Sequence, residues 1–282
     1  MPAAAKSPSV VFENVSFRYS EHTEWIVKDI NISIAPGEWI SIVGGNGSGK
    51  STFVKLVNGL LQPSLGQVLV FGESTGPANV RKIRQSVGIV FQNPYEQTVG
   101  VTVEEDIAFG LQNLLCPREE IISRIDNILK LLRLEELRYR PVRTLSGGQK
   151  QSVAIAGILV MEPQIIIFDE ASSMLDPQNA GKLLGVMSDL HRMGLTVIQV
   201  THDPEDIWKA DRILVLHHGR LAFAGDVPTL MKQADILEEA QTLPPFLVRL
   251  QKALRTKGME LPACCGSEKE LAKSIWESIS AM

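Results

Sequence analysis

A largely apolar segment, "WISIV" at residues 39–43 with Ser41 its one polar residue, runs directly into "GGNGSGKST" and then into a helical pattern. A short run with no polar alternation suits a strand covered on both faces, as in a parallel sheet. Gly44–Ser51 fits G-x-x-x-x-G-K-[ST]. Such a loop cradles a polyphosphate on inward-pointing backbone N–H groups, which requires side chains to be absent at the close approaches, hence Gly44, Gly47 and Gly49. Within the same loop, Gly45, Asn46, Ser48 and Thr52 complete the candidate phosphate-binding set. Lys50 brings a point charge to the β- and γ-phosphates, and the Ser51 hydroxyl is a ligand for Mg²⁺. In the helix that follows, Phe53, Leu56, Val57 and Leu60 recur at i, i+3, i+4 and i+7, which predicts one buried stripe.

A second strand, "IIIF", ends in Asp169 and Glu170. Asp169 is placed to hold Mg²⁺ through water, and Glu170 to polarise a water against the terminal phosphate. His202 closes the apolar run "VIQV" after one threonine, and Gln92 ends "VGIVFQ". A histidine or glutamine at a strand end is unremarkable alone. Lys50, Gln92, Asp169 and His202 all follow apolar strands, however, and the carboxyl ends of parallel strands gather on one ligand-binding edge.

Strands and helices alternate on both sides of a mainly helical stretch, about 93–163, which predicts an α/β protein with an inserted helical subdomain. Its helix "EEIISRIDNILKLLRL" repeats Ile122, Ile125, Leu129 and Leu132 at helical spacing. "LSGGQ" opens another helix there, so Ser146, Gly147, Gly148 and Gln149 offer a hydroxyl, free N–H groups and a positive dipole end. One copy of the chain has no evident way to bring this loop and the Lys50 loop onto one phosphate; two copies facing head to tail do.

Twenty-eight Lys and Arg against 32 Asp and Glu leave a net charge of −4, which disfavours nucleic acid as a partner. No apolar run reaches the roughly 20 residues of a spanning helix, and the N-terminal residues have no signal-peptide core, so a cytoplasmic location is expected. Cys116, Cys264 and Cys265 form neither a metal-spaced set nor a disulfide framework and are expected to be reduced thiols.

Taken in order, "GGNGSGKST", "FQNP", "LSGGQKQ", "IIIFDE", "SMLD" and "VTHD" resemble an ABC-type ATPase over roughly residues 8–226. The resemblance implies a RecA-like parallel-sheet core, an N-terminal antiparallel β subdomain and the helical insert. It also implies ATP and Mg²⁺ as cofactors. Tyr19 resembles the aromatic that stacks on adenine, with Phe17 as its alternative. Gln92 resembles the glutamine that touches Mg²⁺ and reports to a membrane partner. Asp176 resembles the aspartate at the dimer interface, and His202 the histidine on the γ-phosphate. Ser152 departs from the arginine common at its position, without touching a phosphate-facing residue.

"FQNPYEQTVGVTVEEDIAFGLQN", "SMLDP" and "AGDVPTL" resemble the ATPases of energy-coupling-factor transporters, which drive uptake of vitamins or of cobalt or nickel ions. That implies a second ATPase subunit, identical or paralogous, a membrane scaffold subunit and a substrate-binding membrane subunit, with this chain on the cytoplasmic face. Another ABC importer class and a non-transport ABC ATPase are the alternatives. The tail lacks the β-rich regulatory domain of many importers, and the interval from Lys50 to Ser146 is too short for the coiled coils of the DNA-repair members. Residues 227–282 are expected to form a helical extension. In it Ser267 and Glu270 have capping-box spacing, and Leu271, Ile275 and Ile279 make a stripe for its own domain or for a partner.

Overall fold

The computed structural model describes residues 7–259, 261–262 and 268–280. In chain order these form β1 (Val10–Phe17), β2 (Val27–Ile34), β3 (Trp39–Val43), α1 (Lys50–Val57), β4 (Leu65–Val70), β5 (Glu73–Ser74), α2 (Val80–Ser86) and β6 (Val87–Val90). The helical insert follows with α3 (Val103–Asn113), α4 (Arg118–Leu132) and α5 (Gly147–Leu159). Then come β7 (Ile165–Asp169), α6 (Pro177–Arg192), β8 (Thr196–Val200), β9 (Arg212–His217) and β10 (Arg220–Gly225). The chain closes with α7 (Val227–Lys232), α8 (Asp235–Glu239), α9 (Phe246–Thr256) and α10 (Glu268–Ser280).

Two sheets organise the molecule. An antiparallel sheet has the order β2-β1-β4-β5, and a six-stranded sheet the order β10-β9-β3-β8-β7-β6. In the second, β9, β3, β8, β7 and β6 run parallel and only β10 is antiparallel. All five residues of β3, β7 and β8 are buried, as their apolar runs require. Successive side chains point to opposite faces. Ile40, Ile42, Ile165 and Ile167 join one core with α1 and the antiparallel sheet, where Phe12 stacks on Phe53 at 4.3 Å. Trp39, Val43, Ile166 and Phe168 join the other core with the insert and α6.

The stripe of α1 is shorter than its spacing suggests. Phe53, Leu56 and Val57 are buried, but the helix stops at Val57 and Leu60 lies past it, 42% exposed. In α4 the buried residues are Ile125, Ile128 and Leu129, while Ile122 faces solvent. The insert is locked by Arg138, whose guanidinium donates to Glu104 of α3 at 2.7 Å and to Asp126 of α4.

After Asp226 the chain does not leave the body at once. Leu230, Met231, Leu237 and Ala240 belong to the same core as α3–α6. Helix α10 then rests on α9, burying Leu271 while leaving Trp276 and Ile279 exposed. Ser267, Cys264 and Cys265 lie outside the described residues. No helix among the described residues is long and apolar enough to cross a membrane.

Candidate functional site

Strands β3, β8, β7 and β6 are contiguous and parallel, so their carboxyl ends form one edge. Lys50 starts α1 a loop's length after β3; His202 lies two residues past β8; Asp169 ends β7; Gln92 lies two residues past β6. The edge predicted from four separate strand ends is therefore continuous.

The loop between β3 and α1 is wedged between backbones. Gly44 has φ +151°, and a Cβ there would meet the Leu216 carbonyl oxygen at 2.2 Å. Gly49 has φ +103° and is faced by the Ile26 carbonyl at 2.8 Å from its would-be Cβ. Lys50 is only 5% exposed, and its Nζ donates to the carbonyls of Gly44 at 2.8 Å and Gly45 at 3.0 Å. Burial holds its pKa below the ordinary lysine value, with Glu170 and Asp169 opposing that shift. Ser51 Oγ donates to Asp169 Oδ1 at 3.1 Å. A cleft of about 200 Å³ is lined by Asn46, Gly47, Ser48, Gly49, Lys50, Ser51, Thr52, Ile26 and Glu170. Gly45 stands apart: its N–H donates to the Ala240 carbonyl at 2.7 Å.

Asp169 is raised above the usual carboxylate range, first by burial and also by Glu170, against the stabilising Ser51 hydrogen bond. Glu170 has φ +53°, a left-handed backbone uncommon outside glycine. Its N–H donates to the Val200 carbonyl at 3.1 Å, and Oε1 lies 2.6 Å from His202 Nε2. The His202 side chain is 42% exposed, so it reaches Glu170 from the open side.

Several residues that shape the edge were not singled out from the sequence. Asp206, 5% exposed, accepts on Oδ2 from Thr201 Oγ1 at 2.9 Å and Gln199 Nε2 at 3.0 Å. Gln199 Oε1 in turn accepts from Ser41 Oγ and Trp39 Nε1. This buried chain fixes the turn that carries His202; its sequence signal is a glutamine inside an otherwise apolar strand. Gln97 braces the end of β6, accepting from Phe91 N at 2.8 Å and donating to the Ile89 carbonyl at 3.0 Å, while Gln92 itself is exposed. Lys150 of α5 sits 4.0 Å above the Tyr95 ring, joining the segment after Gln92 to the "LSGGQ" helix. Tyr19 is 61% exposed and meets Phe17 edge-on, whereas Phe17 is buried and packs in the core.

Ser146 and Gln149 form a capping box: Ser146 Oγ accepts from Gln149 N, and Gln149 Oε1 accepts from Ser146 N. The S-x-x-Q spacing signalled this, though the two glycines drew attention to the anion instead. Gly148 lies against Asn179, whose side-chain Cγ would be 2.8 Å from a Cβ at 148. Asn179 donates its N–H and Nδ2 to Asp176, the cap of α6, and those bonds hold the Asp176 carboxyl below the usual range. None of Ser146, Gly147, Gly148, Gln149, Asp176 or Tyr19 lines the cleft around Lys50.

Comparison with known proteins agrees with this architecture. A family model described as ABC transporter matches residues 27–173, and one described as the energy-coupling factor transporter EcfA1 C-terminal domain matches residues 245–282. The chain is 42% identical over 269 residues to the energy-coupling factor transporter ATP-binding protein EcfA1 of Halalkalibacterium halodurans, covering 95% of this chain and 97% of that protein. It is 46% identical to EcfA of Methanosarcina acetivorans over 89% of this chain and 91% of that one. Among solved structures, cbiO1 of Clostridium perfringens superposes with a TM-score of 0.75 at 34% identity, covering 87% of this chain and 99% of that chain. A dimeric ATP-binding cassette in a post-hydrolysis state with ADP and Pi superposes at 0.69 and 31% identity, over 77% of this chain and 98% of that chain. The chain belongs to the ABC transporter ATPases, within the energy-coupling factor transporter ATP-binding proteins.

Proposed function

We propose that this protein binds and hydrolyses ATP at the cytoplasmic face of a membrane and drives an energy-coupling-factor importer for vitamins or transition-metal ions. It does so as one half of a head-to-tail ATPase pair, with an identical or paralogous partner. A membrane scaffold and a substrate-binding membrane subunit complete the assembly. In this reading residues 1–226 are the ATPase cassette, and residues 227–282 are an extension whose first two helices are built into the cassette core.

The observation that carries the pairing is at Gly147. It has an ordinary helical backbone, and a Cβ there would meet nothing of its own chain within 4 Å. Neither backbone conformation nor internal packing calls for a glycine there, which leaves this helix start open to a close approach from outside the chain. A nucleotide held on the Lys50 loop of a second copy supplies that approach, with Ser146, Gly147, Gly148 and Gln149 presenting the helix start to the γ-phosphate.

In the catalytic cycle, Lys50 exchanges the Gly44 and Gly45 carbonyls for β- and γ-phosphate oxygens, and Asn46–Thr52 surround them. Tyr19 stacks on the adenine. Glu170 takes the proton of the attacking water, and His202 holds Glu170 and the γ-phosphate in register. Ser51 Oγ and Asp169 Oδ1, 3.1 Å apart, are hard oxygen donors that suit Mg²⁺; Ser51 and the Gln92 amide oxygen would hold the ion directly and Asp169 through water. Among the described residues no three His, Cys, Asp or Glu could hold a metal alone, so the remaining ligands would be phosphate and water. Bound Mg²⁺ would neutralise charge on the transferring phosphate. Asp176 then faces the partner, and the exposed Gln92 segment reports the cycle to the membrane.

The test is the solution mass of the Glu170→Gln variant with and without MgATP. A shift from monomer to dimer supports two identical chains completing the sites. A variant that binds ATP and stays monomeric assigns the second half-site to a different chain.

A further inference from the structure

The segment between α8 and α9 reaches back onto the phosphate loop. Ala240, 1% exposed, accepts the Gly45 N–H at 2.7 Å. That N–H belongs to the same peptide unit whose carbonyl, on Gly44, accepts from Lys50 Nζ at 2.8 Å. One peptide plane is thus gripped by the extension on one side and by the phosphate-binding lysine on the other. Gln241 follows with φ +57°, and this left-handed corner lays its side chain over Gly45. A Cβ on Gly45 would lie 2.9 Å from Gln241 Cβ and 3.0 Å from its Oε1. A few residues on, Phe246 N donates to Glu205 Oε1 at 2.6 Å, tying the same segment to the turn after His202.

We propose that Ala240 and Gln241 are positioning residues for the phosphate loop, setting the Gly44–Gly45 peptide and through it the resting place of Lys50. The inference rests on the reading of the Lys50 loop as the ATP site. It gives the C-terminal extension a route to nucleotide affinity within its own chain. A rigid peptide presents Lys50 and the loop amides in one geometry; a loosened one must be ordered again when the nucleotide binds. Glycine at 45 is required because the corner occupies the space a side chain would take.

The experiment is a titration of the intact chain with the fluorescent nucleotide mant-ATP and Mg²⁺. Gln241→Gly keeps the left-handed corner free of strain while removing the side chain that covers Gly45. Its melting temperature is expected to match or exceed that of the unaltered protein, while its mant-ATP dissociation constant rises about three- to tenfold, the scale of one well-made contact. Gly45→Ala is expected to weaken binding at least as much in the unaltered background and to lose much of that effect when combined with Gln241→Gly. Unchanged affinity in Gln241→Gly overturns the proposal, as does a Gly45→Ala defect of equal size in both backgrounds. Gln241→Asn, which tolerates the left-handed corner and restores a shorter amide, is expected to fall between the two. A failure of the site reading looks different: the unaltered protein would then show no saturable binding that Lys50→Ala abolishes.

Discussion

His202 Nε2 stands 2.6 Å from Glu170 Oε1, and the two residues come from neighbouring strand ends. Glu170 is left 16% exposed by this contact, on the wall of the cleft that begins with the Lys50 loop. A carboxylate so held can accept a proton from a water in the cleft while the imidazole keeps it from rotating away. Glu170→Gln is therefore expected to retain ATP binding and to lose turnover by roughly 10²- to 10⁴-fold, the range for a positioned general base. His202→Ala should lose less, because the carboxylate remains. Near-normal steady-state hydrolysis by Glu170→Gln would remove the role assigned to it.

Much of this site was legible because its parts follow strands whose apolar runs are unmistakable. The apolar runs of β7 and β8 point to strands covered on both faces of a parallel sheet, which puts Asp169 and His202 on one edge, and all five residues of each strand are buried. What was hidden depends on contacts far apart in the chain. Nothing local marks Ala240 as the partner of Gly45, or Asp206 as the acceptor for Gln199. Helix α2 escaped for a different reason: only Ile83 of its seven residues is buried, so it carries no stripe. Leu60 misled because hydrophobic spacing continues past the point where Gly59, with φ +70°, ends the helix.

Gly148 and Asn179 connect the "LSGGQ" helix to the cap of α6. Adding a methyl at 148 must push Asn179, which holds Asp176 through two hydrogen bonds. Gly148→Ala, placed in the Glu170→Gln background, is expected to raise the dissociation constant of the MgATP-bound dimer about tenfold or more, the scale of a modest overpacking penalty. Removing the obstruction with Asn179→Ala should recover part of that loss. Analytical ultracentrifugation of the three variants decides it; a Gly148→Ala dimer as tight as its parent would show that the crowding is absorbed locally.

Arg138 bridges Glu104 on α3 and Asp126 on α4, with its side chain 21% exposed. The carboxylates hold its already high pKa higher still, the Glu104 hydrogen bond being the largest cause. Arg138→Ala leaves both carboxylates without this cation and is expected to cost about 1–2 kcal/mol. That corresponds to a melting temperature lower by roughly 2–8 °C for a chain of this size. The deficit should narrow in high salt, since screening weakens the lost ion pairs in the parent. Thermal scans at low and high sodium chloride measure it, and a deficit that grows with salt would point to lost packing rather than lost charge.

Asp206 is buried against Thr201 and Gln199, and desolvation raises its pKa above the ordinary aspartate value of 3.8 despite the Thr201 hydrogen bond. The sign of its linkage follows. In the unfolded chain the group loses its proton near 3.8, while in the folded chain it holds the proton to higher pH. Between those two points the folded state binds more protons, so this group's contribution to stability falls as pH rises. Asn at this position presents a carbonyl oxygen to both donors and never ionises. Asp206→Asn is thus expected to gain stability relative to the parent as pH is raised from about 4 towards neutrality, with the difference constant once the folded-state group has ionised. The turn carrying His202 should survive, so ATPase activity at neutral pH should stay within a few-fold of the parent. Chemical denaturation of both proteins across that pH range is the measurement. A difference that shrinks as pH rises would mean that the charged carboxylate is stabilised in the fold, and that Gln199 and Thr201 outweigh its burial.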